Sequence, residues 1–296
     1  MTIRFALERI RIMADINTFI IEHEILVRLS FFFGIFILMA IWEMLAPRRK
    51  LIIPKLMRWS NNLALVFLNS LILRVLFPAA AVGMAVFTKE EGWGLYNYYD
   101  ISYVVMVISS VVILDAMIYL QHVMVHAVPV LWRLHRVHHA DPDFDVTTGA
   151  RFHPLEIILS MLIKFSVIAV LGPPVIAVII FEILLNATAM FNHSNIRLNT
   201  TVDKLLRLII VTPDMHRVHH SVEVDETNSN FGFNLPWWDW LFGTYKAQPK
   251  AGHENMLIGI KDYNQIRQVT WLSGILTLPF IGKVSDYVIN RRYDNK

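Results

Sequence analysis

The sequence has 296 residues, of which 55% are hydrophobic and only 17% are charged, whereas soluble globular chains carry about 25% charged residues. This composition favours a membrane protein. The absence of cysteine excludes disulfides, iron–sulfur clusters and thiolate zinc sites, so any metal must bind nitrogen or oxygen ligands. The net charge of +3, without a Lys/Arg tract, gives no indication of nucleic-acid binding.

Several apolar segments reach the roughly 20 residues that a transmembrane helix needs. They are residues 25–45, 63–87 and 101–121, and the longer stretch 155–191. The first lacks the features of a cleaved signal peptide, so we expect it to be retained. Gly172-Pro173-Pro174 lies near the middle of the longest stretch, and because proline interrupts helices it predicts two helices joined by a tight turn. A shallower re-entrant hairpin is the alternative.

Together these segments predict an all-α integral membrane helical bundle of about four transmembrane helices, two of them forming the Pro-Pro hairpin. Basic residues concentrate after the first span and place that loop in the cytoplasm; they are Arg48, Arg49, Lys50, Lys55 and Arg58. Counting spans from there puts every histidine-rich segment on the cytoplasmic side, as a helical cap. Residues 269–281 are too short to span, and we expect them to lie at the membrane interface.

Eight of the twelve histidines fall into three short groups. The groups are His122 and His126; His135, His138 and His139; and His216, His219 and His220. Residues three and four apart share a helix face, so each group can direct two or three imidazoles at one point. Ionisable residues near a bilayer are costly and tend to be functional. We therefore interpret these eight side chains as ligands of a dinuclear metal site.

The ligand type restricts the choice of metal without naming it. Imidazole binds zinc, copper, iron and nickel. A structural zinc site needs four ligands and usually includes thiolates, so eight or more histidines favour two octahedral ions with positions left open.

These residues resemble the fatty acid hydroxylase / sterol desaturase superfamily over residues 115–246, nearly half of the chain. The shared motifs are HVMVH (122–126), LWRLHRVHH (131–139), RFHPLE (151–156), HSNIR (193–197), TPDMHRVHHS (212–221) and WDWLFGTY (238–245). The resemblance implies that the eight histidines bind the metals and that His193 is a further ligand. It divides the chain into an N-terminal membrane anchor (1–100), a catalytic domain (101–250) and a C-terminal interfacial tail (251–296).

The same resemblance implies a non-haem centre of two metal ions, with iron expected and zinc as the alternative in isolated protein. O2 would be the cosubstrate and a membrane lipid or sterol the substrate. The sequence has no Gly-rich dinucleotide motif, so electrons would come from a separate reductase or a ferredoxin-type donor.

Other polar residues are candidates for holding the histidines in place. Metal-bound imidazoles usually donate their outer N–H to a carboxylate or carbonyl. Four aspartates lie close enough in sequence to accept it, with Asp239 preferred because it lies in the WDWLFGTY motif; the others are Asp141, Asp145 and Asp214. Asp115 lies two helical turns before His122, and His153 either belongs to the site or caps the next helix. A helix cap, a solvated charge or an interhelical hydrogen bond is the structural alternative for each.

Two charged residues lie within the apolar hairpin. Lys164 and Glu182 are each nine residues from Pro173, on opposite arms. An antiparallel pair of helices would bring them to one depth, and an unpaired charge there is expensive, so we predict a salt bridge.

The predicted function is that of an enzyme, a membrane-bound lipid hydroxylase or desaturase that uses O2. The alternatives are a histidine-rich metal-ion transporter and a structural or hydrolytic dizinc membrane protein. Transporters place their ligands near the midplane of the bilayer, whereas these histidines lie at predicted helix ends. The sequence leaves open the lipid, the carbon that is oxidised, and the choice between hydroxylation and desaturation.

Overall fold

The architecture is helical throughout the part of the chain that the structure, a computed structural model, describes, which is residues 15–284 and 286–289. No β-strand occurs in these residues, and the only β-type pairings in them are three isolated bridges. The prediction of an all-α fold is confirmed. The ends of the predicted anchor and tail, residues 1–14, 285 and 290–296, lie outside the described residues.

The longest helices lie in the first two thirds of the described chain, and the remaining third contains only short helices. The first eight are α1 (Glu24–Leu45), α2 (Lys55–Leu76), α3 (Ala80–Glu90), α4 (Leu95–Tyr98), α5 (Tyr103–Ala127), α6 (Pro129–His139), α7 (Pro154–Leu171) and α8 (Val175–Asn192). The short ones are α9 (Thr200–Leu206), α10 (Pro213–His219), α11 (Val224–Thr227), α12 (Trp237–Leu241), α13 (Gly252–Asn255), α14 (Ile266–Thr270) and α15 (Leu272–Thr277). Residues 15–22, before α1, are also helical.

Five helical stretches are long and apolar enough to cross a membrane. They are α1, the stretch Lys55–Tyr98 that contains α2 to α4, α5, α7 and α8. Only 11% of the most apolar part of α1 is buried, against 61% for α8. Helix α8 is therefore the central helix of the bundle, while α1 presents most of its apolar surface outward, as a lipid-facing helix does.

The second predicted span, 63–87, is not one helix. Helix α2 ends at Leu76 and α3 begins at Ala80, with Pro78 between them. Proline lacks the N–H that a continuous helix would use and its ring clashes with the preceding turn, which accounts for the break. Ala81 and Ala85 of α3 then pack in the core formed with α5 and α8.

The predicted helical hairpin is present as α7 and α8. Gly172 ends α7 with a φ of +61°, a left-handed conformation that glycine adopts without strain. Within the hairpin, Lys164 Nζ lies 2.8 Å from Glu182 Oε1, the contact that the spacing from Pro173 predicts. Arg28 of α1 approaches the other carboxylate oxygen of Glu182 at 2.8 Å, so this charge cluster also joins α1 to the hairpin.

The described part of the C-terminal tail packs against the helix that carries the second histidine group. Val269, Ile275 and Leu278 are fully buried in one apolar cluster with Trp132 of α6. The Arg136 guanidinium donates hydrogen bonds to the carbonyl oxygens of Leu278 and Ile281. The tail thus covers α6, and its location at the membrane interface remains a prediction.

Candidate metal centre

Nine imidazoles converge at one end of the bundle, and all of them are buried. They form two adjacent groups, and in each group the ring nitrogens lie within 4.8 Å of one another. The five-histidine group is His122, His126, His135, His139 and His219, and the four-histidine group is His138, His193, His216 and His220. These are the nine residues that the sequence analysis assigned to the metal site.

Helix ends deliver most of these side chains. His122 and His126 lie one turn apart at the end of α5, and α6 then begins at Pro129, whose fixed φ suits the first position of a helix. The second group closes α6. Helix α10 begins at Pro213, where the Thr212 hydroxyl accepts a hydrogen bond from the Met215 backbone N–H. His193 caps the end of α8.

Within the five-histidine group the Nε2 atoms point toward one another. His122 Nε2 lies 3.0 Å from His219 Nε2 and 3.1 Å from His135 Nε2. His126 Nε2 lies 3.2 Å from His139 Nε2. Because neutral imidazole carries one N–H, such contacts among several rings leave lone pairs facing a common centre.

The four-histidine group has the same inward arrangement. His193 Nε2 lies 3.0 Å from His216 Nε2 and 3.1 Å from His138 Nε2. Both ring nitrogens of His220 are buried without a hydrogen-bond partner among the described residues. The His220 ring stacks on that of His139 with 4.6 Å between centroids, so the two groups abut.

Backbone carbonyls set the tautomer of three histidines. The Nδ1 atoms of His122, His219 and His193 lie 2.7–2.9 Å from the carbonyl oxygens of Phe231, Ser229 and Ala189 respectively. A carbonyl only accepts, so each Nδ1 carries the proton and each Nε2 keeps its lone pair. These are the lone pairs that point into the cluster.

Side chains hold two further imidazoles. His135 Nδ1 donates to Glu156 Oε1 at 2.6 Å, and both residues are buried. His126 Nδ1 lies 3.2 Å from the side-chain oxygen of Asn228. Neither Glu156 nor Asn228 was among the predicted site residues. Glu156 lies inside the RFHPLE motif, one helical turn after His153. Its place in that motif is the sequence feature that could have identified it as a site residue.

The histidines outside the membrane-spanning helices are held neutral. Burial, together with neighbouring imidazoles, lowers the pKa of His219 and His193 to about 3. The same causes lower the pKa of the remaining members of this set well below the usual histidine value; they are His138, His139, His216 and His220. Neutral imidazole is the form that binds metals, so these rings can act as ligands near pH 7.

The donor set fits transition-metal ions. Nine nitrogen donors, divided five and four, surround two adjacent points, and the sequence contains no cysteine that could supply sulfur. Imidazole-rich sites suit iron, copper and zinc, and hard ions such as Mg²⁺ and Ca²⁺ prefer oxygen. The buried, unpartnered nitrogens of His220 would be costly in a site that never bound a cation.

Two of the predicted aspartates hold the segment next to the site instead of an imidazole. Asp239 accepts hydrogen bonds from the backbone N–H groups of Phe231 and Gly232, and Phe231 offers its carbonyl to His122. Burial raises the pKa of the Asp239 carboxyl to about 6. Asp115 accepts from the Trp238 indole N–H at 2.7 Å. These carboxylates therefore act on the histidines only through the backbone of the loop that follows α11.

The other predicted supports are structural. Asp145 pairs with Arg58 at 2.5 Å, and Asp214 pairs with Arg48 and Arg217. His153 accepts a hydrogen bond from the Leu155 backbone N–H and so caps the start of α7. The helix-capping alternative thus describes His153.

Comparison with known proteins shows what this region resembles. Residues 107–244 match the fatty acid hydroxylase family. Ornithine lipid hydroxylase OlsE of Rhizobium tropici is 31% identical over 144 residues, which make up 49% of this chain and 43% of the relative. Alkylglycerol monooxygenase of Homo sapiens is 33% identical over 128 residues, or 43% of this chain and 27% of the relative. No solved structure shows significant similarity to the chain.

The matched region contains all nine histidines, and it spans less than half of the length of either relative. Both relatives carry the name of a lipid-modifying oxygenase. Residues 107–244, which hold both histidine groups, are thus similar to the fatty acid hydroxylase family and to these two relatives.

Proposed function

We propose that the chain is a membrane-bound enzyme that inserts oxygen from O2 into a C–H bond of a lipid, at a centre of two iron ions held by the nine histidines. The observation that carries this proposal is the convergence of nine buried imidazoles in two abutting groups. The names of the two relatives favour hydroxylation over desaturation, and both concern lipids. The substrate is therefore a membrane lipid that enters from the bilayer.

A bound pair of redox-active ions supplies O2 activation, the chemistry that amino-acid side chains lack. In the hydroxylation, one atom of O2 enters the C–H bond and the other leaves as water. Two electrons and two protons complete the balance, and a separate reductase or ferredoxin-type protein delivers the electrons. The chain itself holds the ligands in place and excludes bulk water from the site.

The surroundings of the site support these two roles. The carbonyl oxygens of Ser229, Phe231 and Ala189 fix the orientation of three rings. Phe152 stacks on His138 with 4.4 Å between centroids, and Phe144 packs against His220 at 5.0 Å. These aromatic rings cover the four-histidine group and contribute to its burial.

The test uses ¹⁸O2 and lipid mass spectrometry. Cells that express the chain are compared with cells that express His138→Ala, and both are grown under ¹⁸O2. We expect one lipid class to gain a single ¹⁸O atom only with the unsubstituted chain. Products without ¹⁸O, or equal products from both strains, would rule the proposal out.

The alternatives predict different behaviour. A histidine-rich transporter would move metal ions across vesicles, and a hydrolytic or structural dizinc protein would retain zinc and consume no O2 with any reductant. Measurement of metal uptake by vesicles and of reductant-dependent O2 consumption separates these cases from an oxygenase. We expect O2 consumption to depend on added reductant and no metal flux.

A further inference from the structure

The two histidine groups differ in the hydrogen bonds made by their Nδ1 atoms, called here the outer nitrogens. In the five-histidine group, four of the five Nδ1 atoms contact an oxygen acceptor; the acceptors belong to Phe231, Asn228, Glu156 and Ser229. In the four-histidine group only His193 has such a contact, to the Ala189 carbonyl. The Nδ1 atoms of His138, His216 and His220 are buried without a partner among the described residues.

Glu156 is the one carboxylate in the described residues that forms a hydrogen bond to any of the nine imidazoles. It lies in the first turn of α7 and is only 3% exposed. Its second oxygen, Oε2, has no partner in the described part of the chain. Within the described residues the carboxyl group therefore contacts His135 and forms no salt bridge with a lysine or arginine.

Outer contacts of this kind affect metal binding. A partner on the second ring nitrogen fixes the ring and makes the ligating nitrogen more basic, and loss of one such partner typically costs about 10–100-fold in metal affinity. The five-histidine group has more ligands, more hydrogen bonds to its Nδ1 atoms and the contact with Glu156. It should therefore hold its ion more tightly.

We propose that the two metal sites are unequal, and that Glu156 is a positioning residue that makes the five-histidine site the tighter one by orienting His135. The four-histidine site is then the labile one, which loses its ion first and is reloaded first. This inference rests on the proposed dimetal function, and it adds an order of binding that the function does not require.

The experiment measures ion release from the metal-loaded, purified full chain after addition of EDTA, with elemental analysis of samples over time. The unsubstituted chain should release one ion at least ~10-fold faster than the other. In Glu156→Leu the slow phase should accelerate by about 10-fold or more, and in Glu156→Gln, which retains an acceptor but no charge, by less. The fast phase should not change in either variant.

Glu43→Gln is the matched control. Glu43 is also a buried glutamate, but its Oε1 accepts from the backbone N–H groups of Val146 and Asn195 and contacts no imidazole. Both release rates should stay as in the unsubstituted chain. A change in Glu43→Gln equal to that in Glu156→Gln would show a general effect of buried charge and would overturn the assignment.

Two histidine variants assign each phase to its site, and they serve even if the Glu156 variants do not fold. His216→Ala should retain only the slowly released ion, and His135→Ala only the rapidly released one. Two ions released at one rate, or the reverse assignment, overturn this inference and leave the proposed function intact. A chain that binds no metal at all would contradict the proposed function itself.

Discussion

At the scale of single residues, Arg58 shows how charge is buried beside the metal centre. Its guanidinium is fully buried and donates to both oxygens of Asp141 and, at 2.5 Å, to Asp145. Burial alone would raise the pKa of Asp141, but Arg58 and Arg151 outweigh it and keep that pKa below the usual value. This ion cluster fixes the loop that follows the second histidine group.

Replacement of Arg58 by methionine should therefore destabilise the protein. Arg58→Met leaves two buried carboxylates without their cation, and loss of one partner of a buried ion pair costs about 3–5 kcal/mol. The thermal unfolding midpoint of the purified variant should fall well below that of Arg74→Met, a control in which the arginine is exposed on the same helix. Equal midpoints for the two variants would show that the cluster contributes little.

At the scale of elements, the turn between α7 and α8 depends on one glycine. Gly172 has a φ of +61°, and a Cβ at this position would lie 2.3 Å from the Trp93 carbonyl oxygen and 2.5 Å from Asn97 Nδ2. The hairpin therefore meets the loop before α4 at a distance that only glycine permits. Because His193 caps the end of α8, the position of the turn also affects one predicted metal ligand.

Gly172→Ala should lower the unfolding midpoint, because the left-handed conformation costs a residue with a Cβ about 1–2 kcal/mol and the clash adds to it. Gly34→Ala is the matched control, since Gly34 lies in α1 with nothing within 4 Å of its added Cβ. Alanine favours helix more than glycine, so that variant should be as stable as the original or slightly more so. A Gly172→Ala midpoint equal to that of Gly34→Ala would contradict the packing at the turn.

At the scale of the whole molecule, the metal centre lies at one end of the bundle. Helix α5 has 25 residues and so extends about 37 Å, from Tyr103, which closely follows α4, to the histidines. This length is enough to separate the two ends by a bilayer. We expect the histidine end to face the cytoplasm, as the basic residues after α1 indicate.

The chain contains no cysteine, so single cysteines can report this orientation. Tyr98 and Lys250 are both exposed. Tyr98 lies in α4, near the start of α5, and Lys250 lies beside the histidine end. A membrane-impermeant thiol reagent should label Tyr98→Cys in intact cells and Lys250→Cys only after permeabilisation. The opposite labelling pattern would place the metal centre outside.

Much of this organisation could be predicted because it is local. The spacing of three and four residues puts imidazoles on one helix face, and Pro173-Pro174 defines a hairpin whose arms bring Lys164 to Glu182. Proline interrupts helices, and the same reasoning could have predicted the break at Pro78. The prediction instead treated the apolar stretch around it as one continuous span. Arg58 was counted with a basic loop because composition does not reveal that a helix begins at Lys55.

The supports of the metal centre could not be predicted in the same way. Which acceptor meets an outer nitrogen depends on how helices are rotated against one another, and this is a tertiary property. Asp145 and Asp214 are close to ligands in sequence but pair with arginines, while Glu156 reaches His135 from a different helix. Nearness along the chain was therefore a poor guide to these contacts.

The central claim is that nine imidazoles hold two metal ions. The most direct test is the number of ions bound per chain in protein purified without chelator and then desalted, measured by elemental analysis with protein quantified by amino-acid analysis. We expect two ions, predominantly iron, for the unsubstituted chain and one fewer for His219→Ala. Fewer than two ions in the unsubstituted chain under iron-replete conditions, or full retention in His219→Ala, would contradict the account.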